Sequence, residues 1–274
     1  MSEQPAAVAP PPTPTPTPAE RLIRAGWLWT IFNSVLSVAI FLALWEGLLR
    51  LFDVPVWLVP KPSDFLGRFL VDYREILSNA LATSVTLAAG FGLGVVIAVP
   101  LALLMVSIGA LERGLYPVIV FLNIMPKTVI GPILIIWFGV SPLVSVLVVF
   151  LMCFFPVLVD SMHGFRIADP RLNYLTRSMG ATPWQAFRYV RLPASMSYIF
   201  AGMRIGVVKA VEGVIIAEFI GSSAGLGFMI MRASSFMNME LLFCGLVAVA
   251  IVALLFNILL GTSERIMMPW IRPR

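Results

Sequence analysis

Lys127, Lys209, Glu212 and Glu218 are charged side chains set inside stretches otherwise built from apolar residues. A charge at membrane depth is costly and faces a cavity or a partner. The chemistry such groups suggest is the passage or gating of a solute, not the breaking of a bond. Lys127 directly follows Pro126, and a proline removes a backbone donor and clashes with the turn before it. Broken backbone at membrane depth is tolerated only beside protein or a water-filled cavity. Asn123, Met125, Pro126, Lys127 and Thr128 are therefore expected at a translocation pathway or its gate. The alternative for Lys127 is a carboxylate partner on another helix. Lys209 and Glu212, three apart, share a helix face and either pair with each other or line the pathway. At about 100° per residue, Glu218 falls roughly opposite Lys209. It either meets the outer mouth of the pathway or anchors the loop that follows.

Catalysis finds no comparable set of residues. His163 is alone, and Cys153 and Cys244 sit in apolar runs, which suits neither a metal site nor a disulfide framework. The scattered carboxylates do not converge as an acid–base pair. No Gly-x-x-x-x-Gly-Lys-Ser/Thr phosphate loop occurs. The chain is thus expected to bind no cofactor and to hydrolyse no ATP.

The elements that hold these charges follow from composition. The 274 residues are 59% hydrophobic and 12% charged, with mean hydropathy +0.96, whereas soluble chains are roughly 25% charged. The apolar blocks are long enough to cross a bilayer, about 20 residues each. This is an all-α, polytopic membrane pattern with about six transmembrane helices, expected near 27–52, 80–107, 115–138, 143–159, 198–220 and 241–260. The third is interrupted by Pro126 and Pro132. Phe65, Leu66, Phe69, Leu70, Tyr73, Ile76 and Leu77 repeat at three and four residues. They predict a helix lying in the membrane interface. Glu46, near the end of the first span, is expected to snorkel or pair. Gly90, Gly94, Ala98 and Ala102 fall every four residues, as do Gly202, Gly206 and Ala210, with Gly213, Ala217 and Gly221 as a second row. Small residues at that spacing let helices approach closely in lipid.

Residues 1–24 hold the run Pro10–Pro18 and are expected to form a disordered Pro/Thr-rich tail ahead of a transmembrane domain at 25–274. No basic start leads into an apolar core, so no cleavable signal peptide is expected. Arg21, Arg24, Arg113, Arg166, Arg171, Arg177, Arg188, Arg191, Arg204, Arg265, Arg272 and Arg274 fall on one side of the expected spans, against Arg50, Lys61, Arg68, Arg74 and Arg232 on the other. The positive-inside rule then puts both termini in the cytoplasm. This asymmetry accounts for most of the basic balance, and no nucleic-acid partner is expected.

One polar stretch remains, from Tyr174 to Pro193, between the fourth and fifth spans. Thr182 followed by Pro183 is a helix start, cap then proline. Gly180 marks a bend, and Leu192-Pro193 is expected to stop the segment. Trp184 and Phe187, three apart, share a face that either needs a partner surface or packs under the bundle or on the lipid interface. Gly180, nine residues, then Val190-Arg191-Leu192-Pro193 resembles the cytoplasmic signature loop of bacterial ABC importer permeases. Further segments are similar to the nitrate/sulfonate/taurine class of such permeases: Val59–Ser63, Pro126–Pro132, Ile136–Ser141, Gly202–Ile205, Ala217–Gly221 and Gly225–Phe228. The likeness runs from about 55 to 265. It departs at Tyr174, Leu175 and Thr176, where the family has Glu-Ala-Ala.

The resemblance implies a type I importer permease with a cytoplasmic coupling helix, inside a loop at about 161–197, that enters a cleft of an ATPase. By position, Arg177, Met179, Gly180, Ala181, Thr182, Pro183, Trp184, Phe187, Leu192 and Pro193 would carry the coupling. It also implies a second copy of the chain, two ATPase subunits holding ATP and Mg, and an extracytoplasmic substrate-binding protein. The site is the bacterial inner membrane. The solute would be an anion such as a sulfonate, taurine or nitrate, or a vitamin precursor. The alternative, an ion-gradient-driven secondary transporter, calls for paired broken helices, and only the Pro126–Pro132 region is broken.

Overall fold

The computed structural model describes residues 18–126, 129–167, 176 and 178–271. Every regular element among them is helical. Residues 1–54 and 55–274 form two units. The first contains α1, Pro18–Leu51. It begins on a proline, which suits a first helical turn, so helix takes in the last residues of the stretch expected as tail. Glu46 pairs with Arg50 one turn on, the paired outcome expected for it.

The second unit contains α2 (Pro62–Val71), α3 (Tyr73–Ser107), α4 (Gly109–Ile124), α5 (Ile130–Phe138), α6 (Pro142–Ile167), α7 (Pro183–Ala186), α8 (Leu192–Gly221), α9 (Leu226–Ser235) and α10 (Met239–Met267). Among the described residues four helices are long and apolar enough to span a membrane: α1 from Phe32, α3, α6 and α10. The run Pro183–Gly221 taken with α9, bent by 51°, makes a fifth. The remaining expected span is not one interrupted helix but two, α4 and α5, of 16 and 9 residues.

Helix α6 is gripped by α3 and α8, and the small residues make the grip possible. A Cβ added to Gly90 would lie 2.5 Å from Val149 Cβ, and one on Gly94 2.5 Å from Cys153 Sγ. On the other side, a Cβ on Gly202 would lie 2.8 Å from Asp160 Cβ, and one on Gly213 2.9 Å from Met152 Cγ. Ala98, Ala102, Leu158, Met162 and Phe165 close the core toward one end. At the other end Leu134 of α5 joins Val148, Met152 and Ala217. Both cysteines are buried: Cys153 faces the Gly90 carbonyl, and Cys244 donates to the Phe65 carbonyl, 3.1 Å away.

The expected interface helix breaks at Asp72. Arg68 Nε donates to Asp72 Oδ2 at 2.6 Å, and the Asp72 N–H closes on the Arg68 carbonyl at 3.0 Å. The break is in the backbone of Asp72 itself, which leaves helical geometry at φ −98°, ψ 19°, and Tyr73–Leu77 become the first turn of the long α3 instead. Phe65 is buried and stacks on Phe243 of α10, while Leu66, Leu70 and Val71 stay exposed. The connection expected before the last span holds a helix of its own, α9.

Ion pairs between helices keep to the two groups into which the sequence sorts the basic residues. Arg166 meets Glu112 and Arg204 meets Glu264, while Arg232 meets Glu75. Arg204 is thereby level with Glu264, three residues before α10 ends.

Candidate functional site

The polar segment after α6 is shaped by local chemistry. The Thr182 N–H donates to Gln185 Oε1 at 2.8 Å, and the Gln185 N–H donates to Thr182 Oγ1 at 3.3 Å. This reciprocal capping box, with Pro183 in the first turn, fixes where the helix starts. Before it, Gly180 turns at φ 76°, and a Cβ there would meet nothing within 4 Å. The Ala181 N–H donates to the Thr176 carbonyl at 3.0 Å and closes that turn.

After α7 the chain widens into a π-helical turn, Phe187–Arg191, in which the Leu192 N–H reaches the Phe187 carbonyl. The expected stop at Leu192-Pro193 is overturned: α8 starts there, with Pro193 in its first turn. A proline lacks an N–H, which does no harm where the helix has just changed its hydrogen-bond pattern. Helix therefore continues from Pro183 to Gly221.

The exposed side chains define a face. Met179 is 82% exposed, Trp184 64% and Tyr189 71%. Tyr189 is absent from the sequence-derived set, because the spacing of Trp184 and Phe187 alone suggests the face. Phe187 does not share it in full. Its ring tilts against Trp184 at 5.6 Å and reaches inward to Phe165 at 6.5 Å, joining the core around α6. Trp184 is thus backed by an aromatic that is itself fixed to a membrane helix. Leu192 and Pro193 line a cleft of about 340 Å³ with Trp184, Met196 and Trp270. Arg177 lies outside the described residues.

Among the described residues, the charges singled out for a pathway fall in two separate places, the Lys209–Glu212 pair and Glu218. Asn123, Met125 and Pro126 are exposed at the end of α4, where Met125 turns at φ −57°, ψ 137°. Lys127 and Thr128 lie outside the described residues. Lys209 Nζ donates to Glu212 Oε2 at 2.8 Å, both half exposed, as the ion-pair reading expects. They sit one to two turns of α8 beyond the level of Arg204.

Glu218 is elsewhere and is sealed, at 3% exposure. Thr83 Oγ1 donates to it at 2.8 Å, and the Gly227 N–H donates to its other oxygen at 2.7 Å. Thr83 in turn accepts the Leu226 N–H at 2.8 Å, and Asn79 Oδ1 accepts the Gly225 N–H at 2.9 Å. The carboxyl and its two helpers satisfy the orphan donors at the start of α9. This is the loop-anchoring outcome, and it turns Glu218 away from open space. Thr83 and Asn79 carry no sequence signal for the role, being more than 130 residues distant.

Residues 90–273 match the family described as binding-protein-dependent transport system inner membrane component. The chain belongs to this family. Among relatives, the riboflavin transport system permease protein RibX of Chloroflexus aurantiacus is 29% identical over 244 residues, spanning 88% of this chain and 91% of that protein. The putative aliphatic sulfonates transport permease protein SsuC of Bacillus subtilis is 28% identical over 249 residues, 90% of this chain and 89% of that one. The taurine transport system permease protein TauC of Escherichia coli is 26% identical over 259 residues, 90% and 94%. A crystal structure of an amino acid ABC transporter with histidines shares the fold at TM-score 0.57, with 20% identity over 75% of this chain and 97% of that one. The all-α, type I permease-like architecture implied by the signature loop is therefore that of the protein. It is a permease subunit of a binding-protein-dependent ABC importer.

Proposed function

We propose that the segment Met179–Pro193 is the surface through which a partner ATPase drives this permease. The observation that carries the reading is Trp184: held out by the Thr182–Gln185 box, and backed through Phe187 onto Phe165. A load on Trp184 reaches α6 and α8 without crossing a flexible joint. In this reading two copies of the chain pair, two ATPase subunits bind ATP and Mg, and an extracytoplasmic binding protein delivers the solute. Both termini and the coupling segment face the cytoplasm, following the arginine asymmetry. ATP binding draws the two coupling segments together and opens the pathway outward, and hydrolysis reverses it. Such coupling needs two discrete arrangements with different affinity for the driver. Lys127 favours an anionic solute, a class that includes the sulfonates and taurine named for SsuC and TauC, and RibX widens the range to vitamins.

The test is gentle extraction from native membranes, affinity capture of this chain and mass spectrometry of its companions. An ATPase at a one-to-one ratio is expected, and Trp184→Ala should weaken its binding about thirtyfold, the scale of a lost aromatic hot spot. Capture of the chain alone, with uptake persisting in ATP-free vesicles under an ion gradient, would overturn the proposal.

A further inference from the structure

A second polar site lies between α8 and α10, and neither Glu218 nor the Lys209–Glu212 pair lines it. It is a cleft of about 440 Å³ lined by Arg204, Asn257, Thr262 and Arg265, with Leu254 and Ile258 at one end. Gly261 sits between the polar groups, and no atom lies within 4 Å of where its Cβ would be. The missing side chain is what leaves the room. Lys209 is about 140° round α8 from Arg204, so the cleft is not the Lys209–Glu212 face.

The charge balance is specific. Arg204 is paired with Glu264, which leaves its remaining N–H groups to point elsewhere. Arg265 has no carboxylate partner among the described residues. Two guanidiniums against one carboxylate leave one positive charge, next to the Asn257 amide. Planar guanidinium forks suit the oxygens of a phosphate. The apolar end decides what carries that phosphate. Leu254 is 60% exposed and Ile258 55%, on the face of an apolar span, and Leu255 and Leu259 beside them are exposed as well. Arg204, level with the last turn of α10, puts the charged end at headgroup depth and the leucines at acyl-chain depth.

We propose that this cleft binds an anionic phospholipid, its phosphate between Arg204 and Arg265 and an acyl chain along Leu254 and Ile258. Basic pockets between membrane helices are a known way to hold such headgroups. Bound there, the lipid bridges α8, which leads from the coupling segment, to α10.

The experiment uses the full chain, purified in mild detergent and placed in nanodiscs of phosphatidylcholine with increasing phosphatidylglycerol. Retained lipid is counted by native mass spectrometry, and thermal unfolding is followed in parallel. Phosphatidylglycerol should be retained selectively and raise the unfolding temperature. Arg265→Gln should cut that retention about fivefold, the factor for one basic residue at a membrane surface. The double variant Arg204→Gln/Glu264→Gln, which removes both charges together and leaves neither buried alone, should do the same. Arg113→Gln, at the same end but outside the cleft, should leave retention unchanged. Equal retention of phosphatidylcholine, or an equal loss in Arg113→Gln, would overturn the proposal. A stabilisation by inorganic phosphate matching that of the lipid would assign the cleft to a soluble anion and overturn it as well.

Discussion

Before α8 the chain turns at Gly180, with φ 76° and open space where a Cβ would sit; after α8 it turns at Gly225, with φ 113° and the Glu218 carboxyl carbon 2.3 Å from that position. Both turns need glycine for their backbone, since a left-handed conformation strains other residues. Only the second also needs it for space. Around Gly180 stand Met179, Trp184 and Tyr189, all exposed. Around Gly225 stand Glu218, Thr83 and Asn79, with their polar atoms engaged by backbone N–H groups. One end of the helix leaves large side chains exposed. The other is completed by the chain itself.

The sharpest break of that contrast is Gly225→Ala. At φ 113°, ψ 164° an alanine costs about 1–3 kcal/mol, and forcing a methyl into a filled site adds about 1–3 kcal/mol. The variant should lose most of its folded protein in detergent, read by size-exclusion profile and unfolding temperature. Next is Glu218→Leu, which leaves the Gly227 N–H and the Thr83 hydroxyl without their buried acceptor. Each stranded group costs about 1–3 kcal/mol. Glu218→Gln keeps one acceptor and should recover part of the loss, and equal stability of the two variants would mean that the carboxyl anchors nothing.

Gly180→Val should behave in the opposite sense. It carries the conformational cost of about 1–2 kcal/mol but no clash, so assembly should survive while uptake in vesicles is lost. Normal uptake would remove Gly180 from the coupling role. The smallest effect is expected at Ser161, fully buried with a hydroxyl that finds no partner among the described residues. Ser161→Ala removes an unpaired polar group and should leave the unfolding temperature unchanged or raise it by a degree or two, about 1 kcal/mol or less.

What could be read from the sequence follows the range of the interactions involved. The long apolar blocks announce α3, α6, α8 and α10, because spanning length and hydropathy are local properties. Gly90, Gly94, Gly202 and Gly206 announce close packing, since small residues four apart have few other uses in lipid. The Thr182 cap, the Lys209–Glu212 pair and the broken backbone at Pro126 are likewise set within a few residues. The break at Asp72 is not readable from apolar periodicity, which continues across it; it lies in the backbone of one residue, at φ −98°, ψ 19°. Phe187 is assigned a face by its spacing from Trp184, yet it is drawn inward by Phe165, a partner on another helix. Leu192-Pro193 looks like a stop only if the preceding turn is regular, and the π-turn makes it a start. The helix α9 and the role of Glu218 depend on Thr83 and Asn79, which no local pattern connects to them.

The π-turn at Phe187–Arg191 also sets a phase. A turn of this kind holds one residue more than an α-turn, and each residue advances a helix by about 100°. Deleting one residue there would leave Pro183–Gly221 helical but swing Trp184 about a quarter of a circle relative to Arg204, Lys209 and Glu212. The bearing of the exposed Trp184 against the later turns of α8 is therefore written in a residue count. Relatives that keep both ends of this helix but differ by one residue at this turn would set them against each other like gears cut one tooth apart.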